Sequence, residues 1–177
     1  MTYITTYRSP LGLLTLSSDS LSLNGLWIEG QKYHGQNNNQ AIKKDLPIFD
    51  EAKTWLERYF AGEKPQVAEL SLAPLGSEFR RKVWAILREI PYGQIVSYGA
   101  IAKQLAASMN LNRMSSQAVG GAVGHNPISI IVPCHRVVGS NGDLTGYAGG
   151  LDLKIKLLEL EGVDMSKLFR PKKGTAL

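Results

Sequence analysis

Ile130-Ile131-Val132-Pro133-Cys134-His135-Arg136-Val137-Val138 is the stretch on which the reading of this chain turns. Its apolar start, Ile128–Val132, predicts a short strand, and Pro133 ends it because proline has no N–H to give to a sheet. Cys134 therefore falls where the backbone changes direction, and the 177 residues hold one cysteine. A lone cysteine is by default a small buried hydrophobe. His135 and Arg136 argue for chemistry instead, because neighbouring cations lower a thiol pKa and the thiolate is the nucleophile. The Cys-His pair alone does not decide it, since in cysteine hydrolases the base comes from elsewhere in the chain. One cysteine forms neither an internal disulfide nor a multi-cysteine zinc site, so no metal is expected. Together with the lack of a secretory pattern, a glycosylation sequon or a membrane-length apolar run, this points to the cytoplasm and away from membranes.

Upstream lies a second half-built feature. Ser77 is placed to cap a helix running to about Glu89, with Phe79, Val83, Ile86 and Ile90 on one face and Pro91-Tyr92-Gly93 as its stop. Ser97 is placed to cap another, to about Ala106. A third, about 115–123, is almost wholly small: Ser115, Ser116, Ala118, Gly120, Gly121, Ala122. Glycine inside a helix costs about 1 kcal/mol against alanine, so two in a row need a reason. Tight helix packing and close approach to a ligand backbone both supply one. The second and third helices resemble a helix-turn-helix with a connection longer than usual. Downstream, Asn141-Gly142 and Gly146-Tyr147-Ala148-Gly149-Gly150 form a glycine-rich loop, and a last helix from about Asp152 carries Leu151, Ile155 and Leu158 on one face and closes at Gly162. No Gly-x-Gly-x-x-Gly fingerprint is present, so no dinucleotide or other cofactor is expected.

The first half differs in kind. Thr2–Tyr7, Leu11–Ser17 and Leu21–Ile28 read as strands, with Asn24-Gly25 as either a tight turn or a bulge. Residues 31–40 form a polar loop. A helix over 50–60 puts Ala52, Trp55, Leu56 and Tyr59 on one face, and Pro65 to Pro74 is a linker with room for one strand. This divides the chain into an α/β domain, 1–75, and a mostly α domain, 76–177. Their charges also differ: 7 Lys+Arg against 8 Asp+Glu in the first, 13 against 7 in the second, so a net of +6 sits in the C-terminal domain. A basic half is either a solvated surface or the footprint of a polyanion such as nucleic acid.

These pieces together resemble the O6-alkylguanine-DNA alkyltransferases. The resemblance rests on Pro133-Cys134-His135-Arg136-Val137, on Gly124-His125-Asn126-Pro127 before it, and on Thr145 to Gly150 and Leu157 to Gly162 after it. Phe79-Arg80, Ile90 to Gly93 and Val96-Ser97-Tyr98 extend it upstream, and Ser9 to Gly12 and Gly25-Leu26-Trp27 more loosely. It implies a ribonuclease H-like N-terminal domain without a chemical role and a C-terminal domain whose helix-turn-helix enters the minor groove. The damaged base is swung out of the stack into a pocket. By the resemblance Cys134 accepts the alkyl group, His135 takes the thiol proton through a water, and Glu161 holds the other imidazole nitrogen and favours the cation. Asn126 braces the turn, Tyr98 donates to guanine, and Tyr147, Val137, Ala148 and Gly149 line the base. Gln117, Arg113, Ala118, Gly121 and Arg136 are the expected DNA contacts. The partner is double- or single-stranded DNA carrying O6-alkylguanine, the sequence leaves open whether O4-alkylthymine is also repaired, and the protein is expected to act as a monomer.

Three positions depart from the family. Gln117 stands where an arginine commonly fills the gap left by the flipped base, with Arg113 one helical turn earlier if the helix extends that far; Ala148 stands for a common serine, and Lys156 for a common tryptophan. Two other classes compete: a lesion-binding relative that flips alkylguanine without reacting, and a helix-turn-helix regulator. The first lacks the acceptor cysteine, which is present here as Cys134. The second predicts palindromic sites and no reaction with alkylated DNA.

Overall fold

The computed structural model describes residues 1–32 and 38–171. The chain divides into two compact units. One comprises Met1–Leu75 together with Pro127–Ile131; the other comprises Gly76–Asn126 and Val132–Leu177.

The first unit is a mixed sheet with one helix. Strands β1 (Tyr3–Ser9), β2 (Gly12–Ser18) and β3 (Leu23–Ile28) form an antiparallel meander, and a two-residue β4 (Ile42–Lys43) adds parallel to β1, giving the order β3-β2-β1-β4. The register between β2 and β3 slips after Ser17, which makes Asn24-Gly25 a bulge rather than a turn. Ser17 Oγ donates to Asn24 Oδ1, and a Cβ on Gly25 would fall 2.1 Å from the Trp27 ring, so only glycine fits there. Helix α1 (Pro47–Phe60) begins three residues before the expected start because Pro47 can take the first helical position. Ala52, Trp55, Leu56 and Tyr59 are all buried, as their spacing predicted. Of the polar loop over 31–40, residues 33–37 lie outside the described residues, and Asn38–Gln40 make one 3₁₀ turn.

Ile128–Val132 is not a strand. It makes one isolated bridge, Leu26 to Ile128, closed by Leu26 N–H on Pro127 O and Ser129 N–H on Leu26 O. Ile130 then turns to φ +70, a region costly for a β-branched residue, and no ladder can continue through it. The apolar run reported burial, not strand geometry: Ile128, Ile130 and Ile131 are all at most 1% exposed. Gln31 pins the segment, with its Oε1 accepting from Ile28 N–H and Ser129 Oγ–H.

The second unit is mainly helical. It holds α2 (Glu78–Leu87), α3 (Tyr98–Ser108), α4 (Ser116–Gly124) and α5 (Leu151–Leu160), with β5 (Val96–Ser97) parallel to β6 (Val137–Val138). Ser77, Ser97 and Ser115 each accept an N–H from the first turn of α2, α3 and α4, as N-caps do. The buried face of α2 is Val83, Trp84 and Leu87; Phe79 and Ile86, expected there, are half-buried. Trp84 displaces the predicted stripe because its indole spans to α4 and donates to Ala122 O at 2.8 Å. Leu151, Ile155 and Leu158 of α5 share a core with Val138 and Leu144. Lys156 is exposed, so its replacement of a large apolar residue leaves no core deficit.

Trp84→Phe should therefore do more than trim a ring. It strands the Ala122 carbonyl and loosens α4, at a cost of about 1–3 kcal/mol. Urea unfolding of the two proteins measures it, and an unchanged midpoint would show that water replaces the indole.

Candidate active site

Pro133 (φ −82, ψ 65) delivers the chain into a single 3₁₀ turn, Cys134–Arg136, that leads into β6. Asn126, at the end of α4, donates from Nδ2 to Val132 O at 2.8 Å and so ties the two flanks of the Pro127–Ile131 excursion together. The bracing expected of Asn126 has this geometric basis. Cys134 is free and 4% exposed. Burial pushes its thiol pKa up; the hydrogen bond from Asn126 and the charge of Lys154 pull against it. Arg136 does not act on the thiol, contrary to what its place in the sequence suggested.

Arg136 instead turns inward. Its Nε donates to Glu161 Oε1 at 2.7 Å and its Nη1 to Ile90 O at 2.6 Å, leaving it 6% exposed. Its guanidinium is thus spent inside the protein, which argues against the DNA contact expected of it. The reason is Glu161, which caps the C-terminal end of α5, where the helix dipole disfavours a carboxylate. Three donors compensate: His135 Nε2 on Oε2 at 2.5 Å, Arg136 Nε on Oε1, and Gly93 N–H on Oε1 at 3.0 Å. Despite burial they hold the Glu161 carboxyl well below the usual carboxylate range.

His135 is wholly buried. Burial, aided by the Arg136 and Lys154 charges, lowers its pKa from 6.5 against the pull of Glu161. Burial thus opposes the imidazolium that Glu161 favours. With Nε2–H assigned to the ionised carboxylate, Nδ1 carries the bare lone pair, and it has no partner among the described residues. The arrangement is a buried thiol, an imidazole next to it in sequence, and a carboxylate that stabilises the imidazole once it takes a proton.

The remaining predicted residues divide. Tyr98, the first residue of α3, donates to Thr145 O at 2.9 Å, and Tyr147 packs its ring edge-on to His135 at 6.5 Å. Burial raises the Tyr98 pKa far above the phenol range, so it stays a donor. Val137 is buried and Ala148 and Gly149 are half-buried. Gln117 and Ala118 are exposed on α4 and Gly121 is half-exposed; a Cβ on Gly121 would meet nothing within 4 Å. Internal packing therefore does not require glycine there. Arg113 precedes the Ser115 cap and lies off the helix, not one turn below Gln117. The sequence reading missed Lys154. It is 0% exposed and donates from Nζ to Val137 O at 2.6 Å and Thr145 O at 3.0 Å. Positions 154, 157, 158 and 161 form one buried helical face, a spacing that could have exposed it.

Comparison with known proteins gives the family. The family model for the DNA binding domain of 6-O-methylguanine DNA methyltransferase matches residues 78–163, and that for its ribonuclease-like domain matches 2–74. The methylated-DNA–protein-cysteine methyltransferase of Haemophilus influenzae is 42% identical over 91% of this chain and 87% of its own length. That of Methanosarcina acetivorans is 45% identical over 90% and 98%. A Mycobacterium tuberculosis OGT crystallised in complex with DNA superposes with a TM-score of 0.79 at 41% identity, covering 94% of each chain. The chain belongs to the 6-O-methylguanine DNA methyltransferase family. Its first unit is thus a ribonuclease-like domain with a mixed sheet and its second a helical DNA-binding domain.

The buried charges should make the fold acid-sensitive in two steps. Folding lowers the His135 pKa from 6.5, so stability is lost as pH falls below that value and the unfolded chain takes up the proton. Folding also lowers the Glu161 pKa from 4.5, so its contribution is present above 4.5 and drains away below it. Urea unfolding as a function of pH should show His135→Asn losing the upper step and Glu161→Gln the lower. A His135→Asn protein that retains the upper step would refute this account.

Proposed function

We propose that this chain repairs DNA by moving the alkyl group of O6-alkylguanine onto Cys134, once per molecule. The observation that carries the reading is a single buried cysteine followed directly by a buried histidine, His135, whose Nε2 is fixed on the Glu161 carboxylate. His135 Nδ1 takes the thiol proton through a water. The thiolate attacks the alkyl carbon, forming the S–C bond as the C–O6 bond breaks. The electron pair leaves on guanine, and a proton or hydrogen bond from Tyr98 stabilises that leaving group. Glu161 stabilises the imidazolium that results. The thioether has no route back, so the protein is consumed and needs no cofactor. O4-alkylthymine presents the same alkyl–oxygen bond and is a second substrate to test.

Helices α3 and α4 are read as a helix-turn-helix, with α4 against the minor groove and Gln117, Ala118 and Gly121 facing DNA. The open space at Gly121 is compatible with this, because no group of the protein itself lies within 4 Å of a Cβ placed there. Arg113, exposed on the α3–α4 connection, is suited to a phosphate. Two of the thirteen cations of the C-terminal half, Arg136 and Lys154, are buried, so its surface is less basic than its composition. The damaged base flips into a pocket walled by Tyr147, Val137, Ala148 and Gly149. The protein acts as a monomer in the cytoplasm, on double- or single-stranded DNA.

Mass spectrometry after mixing with O6-methylguanine DNA tests the reading. The Cys134 peptide should gain one methyl group, and Cys134→Ser should gain none while still binding DNA, since a serine hydroxyl is far less acidic and not a soft nucleophile. An unchanged wild-type mass would favour a lesion-binding protein.

Gln117 sets a second test. Glutamine is shorter than arginine and uncharged, so it fills the vacated stack less well, and flipping is cheapest where the base is unpaired. Gln117→Arg should speed transfer from matched duplex and leave single-stranded transfer unchanged. No gain on duplex would mean that another residue already fills the gap.

A further inference from the structure

Lys154 is a buried ammonium with no carboxylate in ion-pair range among the described residues. A charge left in that state is expensive and would ordinarily be replaced by an apolar side chain of the same length. Its two hydrogen bonds join segments that are separate in sequence: Val137 O belongs to β6, just after Cys134, and Thr145 O belongs to the glycine-rich loop. Thr145 is itself held in place, its N–H at 2.9 Å and its Oγ1–H at 2.6 Å from Asp143 Oδ1. Its carbonyl oxygen has two lone pairs, and both are taken. Lys154 Nζ supplies one hydrogen at 3.0 Å and the Tyr98 hydroxyl the other at 2.9 Å. The hydroxyl that the reaction needs is therefore engaged on the loop in the resting protein.

We infer that Lys154 is a positioning residue for Tyr98: it keeps the Thr145 carbonyl satisfied when the Tyr98 hydroxyl leaves that carbonyl for the alkylated base. This rests on the alkyl-transfer reading above. A part-buried carbonyl such as that of Thr145 resists being stripped of its partners, whereas one that retains a charged donor gives up its weaker partner at small cost. Tyr98 can then exchange one acceptor for another without movement of the loop. The groups that face Lys154 are Val137 O, Thr145 O, and the titratable side chains Cys134, His135 and Asp143. Burial pulls the Lys154 pKa down to about 8, against the pull of Cys134 and Asp143. The Tyr98 phenol lies far above that value, so Lys154 loses its proton first as pH rises.

The experiment is single-turnover methyl transfer from an O6-methylguanine oligonucleotide to the full chain. It compares wild type, Lys154→Met, Tyr98→Phe and the double variant, reading the saturated rate and the half-saturating concentration separately. Lys154→Met should lower the saturated rate about tenfold with little change in half-saturation. In the Tyr98→Phe background the same change should cost less than about threefold, because the hydroxyl it served is gone. If Lys154 acts only by lowering the Cys134 pKa or by supporting the fold, the two losses multiply, and the inference is overturned. The ratio of wild-type to Tyr98→Phe rates below and above pH 8 gives a second readout that needs no lysine variant to fold. Thiol titration is common to both proteins and cancels. The ratio should fall as Lys154 loses its proton, and a constant ratio overturns the inference. A wild-type protein that accepts no methyl group would instead defeat the proposed function itself.

Discussion

The buried carboxylate of Glu161 is the constraint on which the site depends. It stands at the wrong end of a helix for a negative charge and is nearly inaccessible to water. It survives because three donors converge on it from two places in the sequence: the adjacent His135 and Arg136, and the Gly93 amide. Each donor is spent in a particular way. Gly93 carries a positive φ and gives its amide to the carboxylate, Arg136 also holds the Ile90 carbonyl that ends the α2 region, and His135 is left with one nitrogen for chemistry. Removing one partner from a buried ionic cluster costs about 3–5 kcal/mol, which makes the same contacts structural and chemical at once.

Cys134 is the complement of that cluster. A thiol beside an arginine in sequence looks activated, yet its pKa is raised by burial and the arginine is engaged elsewhere. Reactivity is thus not stored as a standing thiolate. In the proposed reaction it comes from His135 as the base and from the Glu161 carboxylate that stabilises the imidazolium. Such a thiol is protected from casual oxidation, which follows thiolate character and exposure.

Much of the fold was legible in the sequence. Serine caps at Ser77, Ser97 and Ser115 and the apolar spacings of α1 and α5 are local signals, and they located helices to within a few residues. What failed was non-local. The two-residue strands β4, β5 and β6 are too short to show a period, and Ile128–Val132 was apolar because it is buried, with Ile130 bent out of any ladder. In the site, residue identities could be read from motif resemblance, but their directions could not. Arg136 pointed inward, and Lys154 was overlooked because a lysine in an apolar stripe is usually passed over as a solvated edge. Lys154 is held by backbone carbonyls alone, which leave no mark in sequence, and Arg136 by one such carbonyl besides the Glu161 carboxylate.

The excursion of Pro127–Ile131 into the first unit has a consequence for how the molecule can be divided. A cut in the linear chain near residue 75 does not separate the two units, because five residues of the second half complete the β3 edge of the first. A fragment beginning at Gly76 would carry Ile128, Ile130 and Ile131 without the Leu26 backbone and Gln31 side chain that receive them. It would also release the loop whose two ends Asn126 joins, directly before the reacting cysteine. The ribonuclease-like unit is completed by a stretch of chain that ends three residues before Cys134.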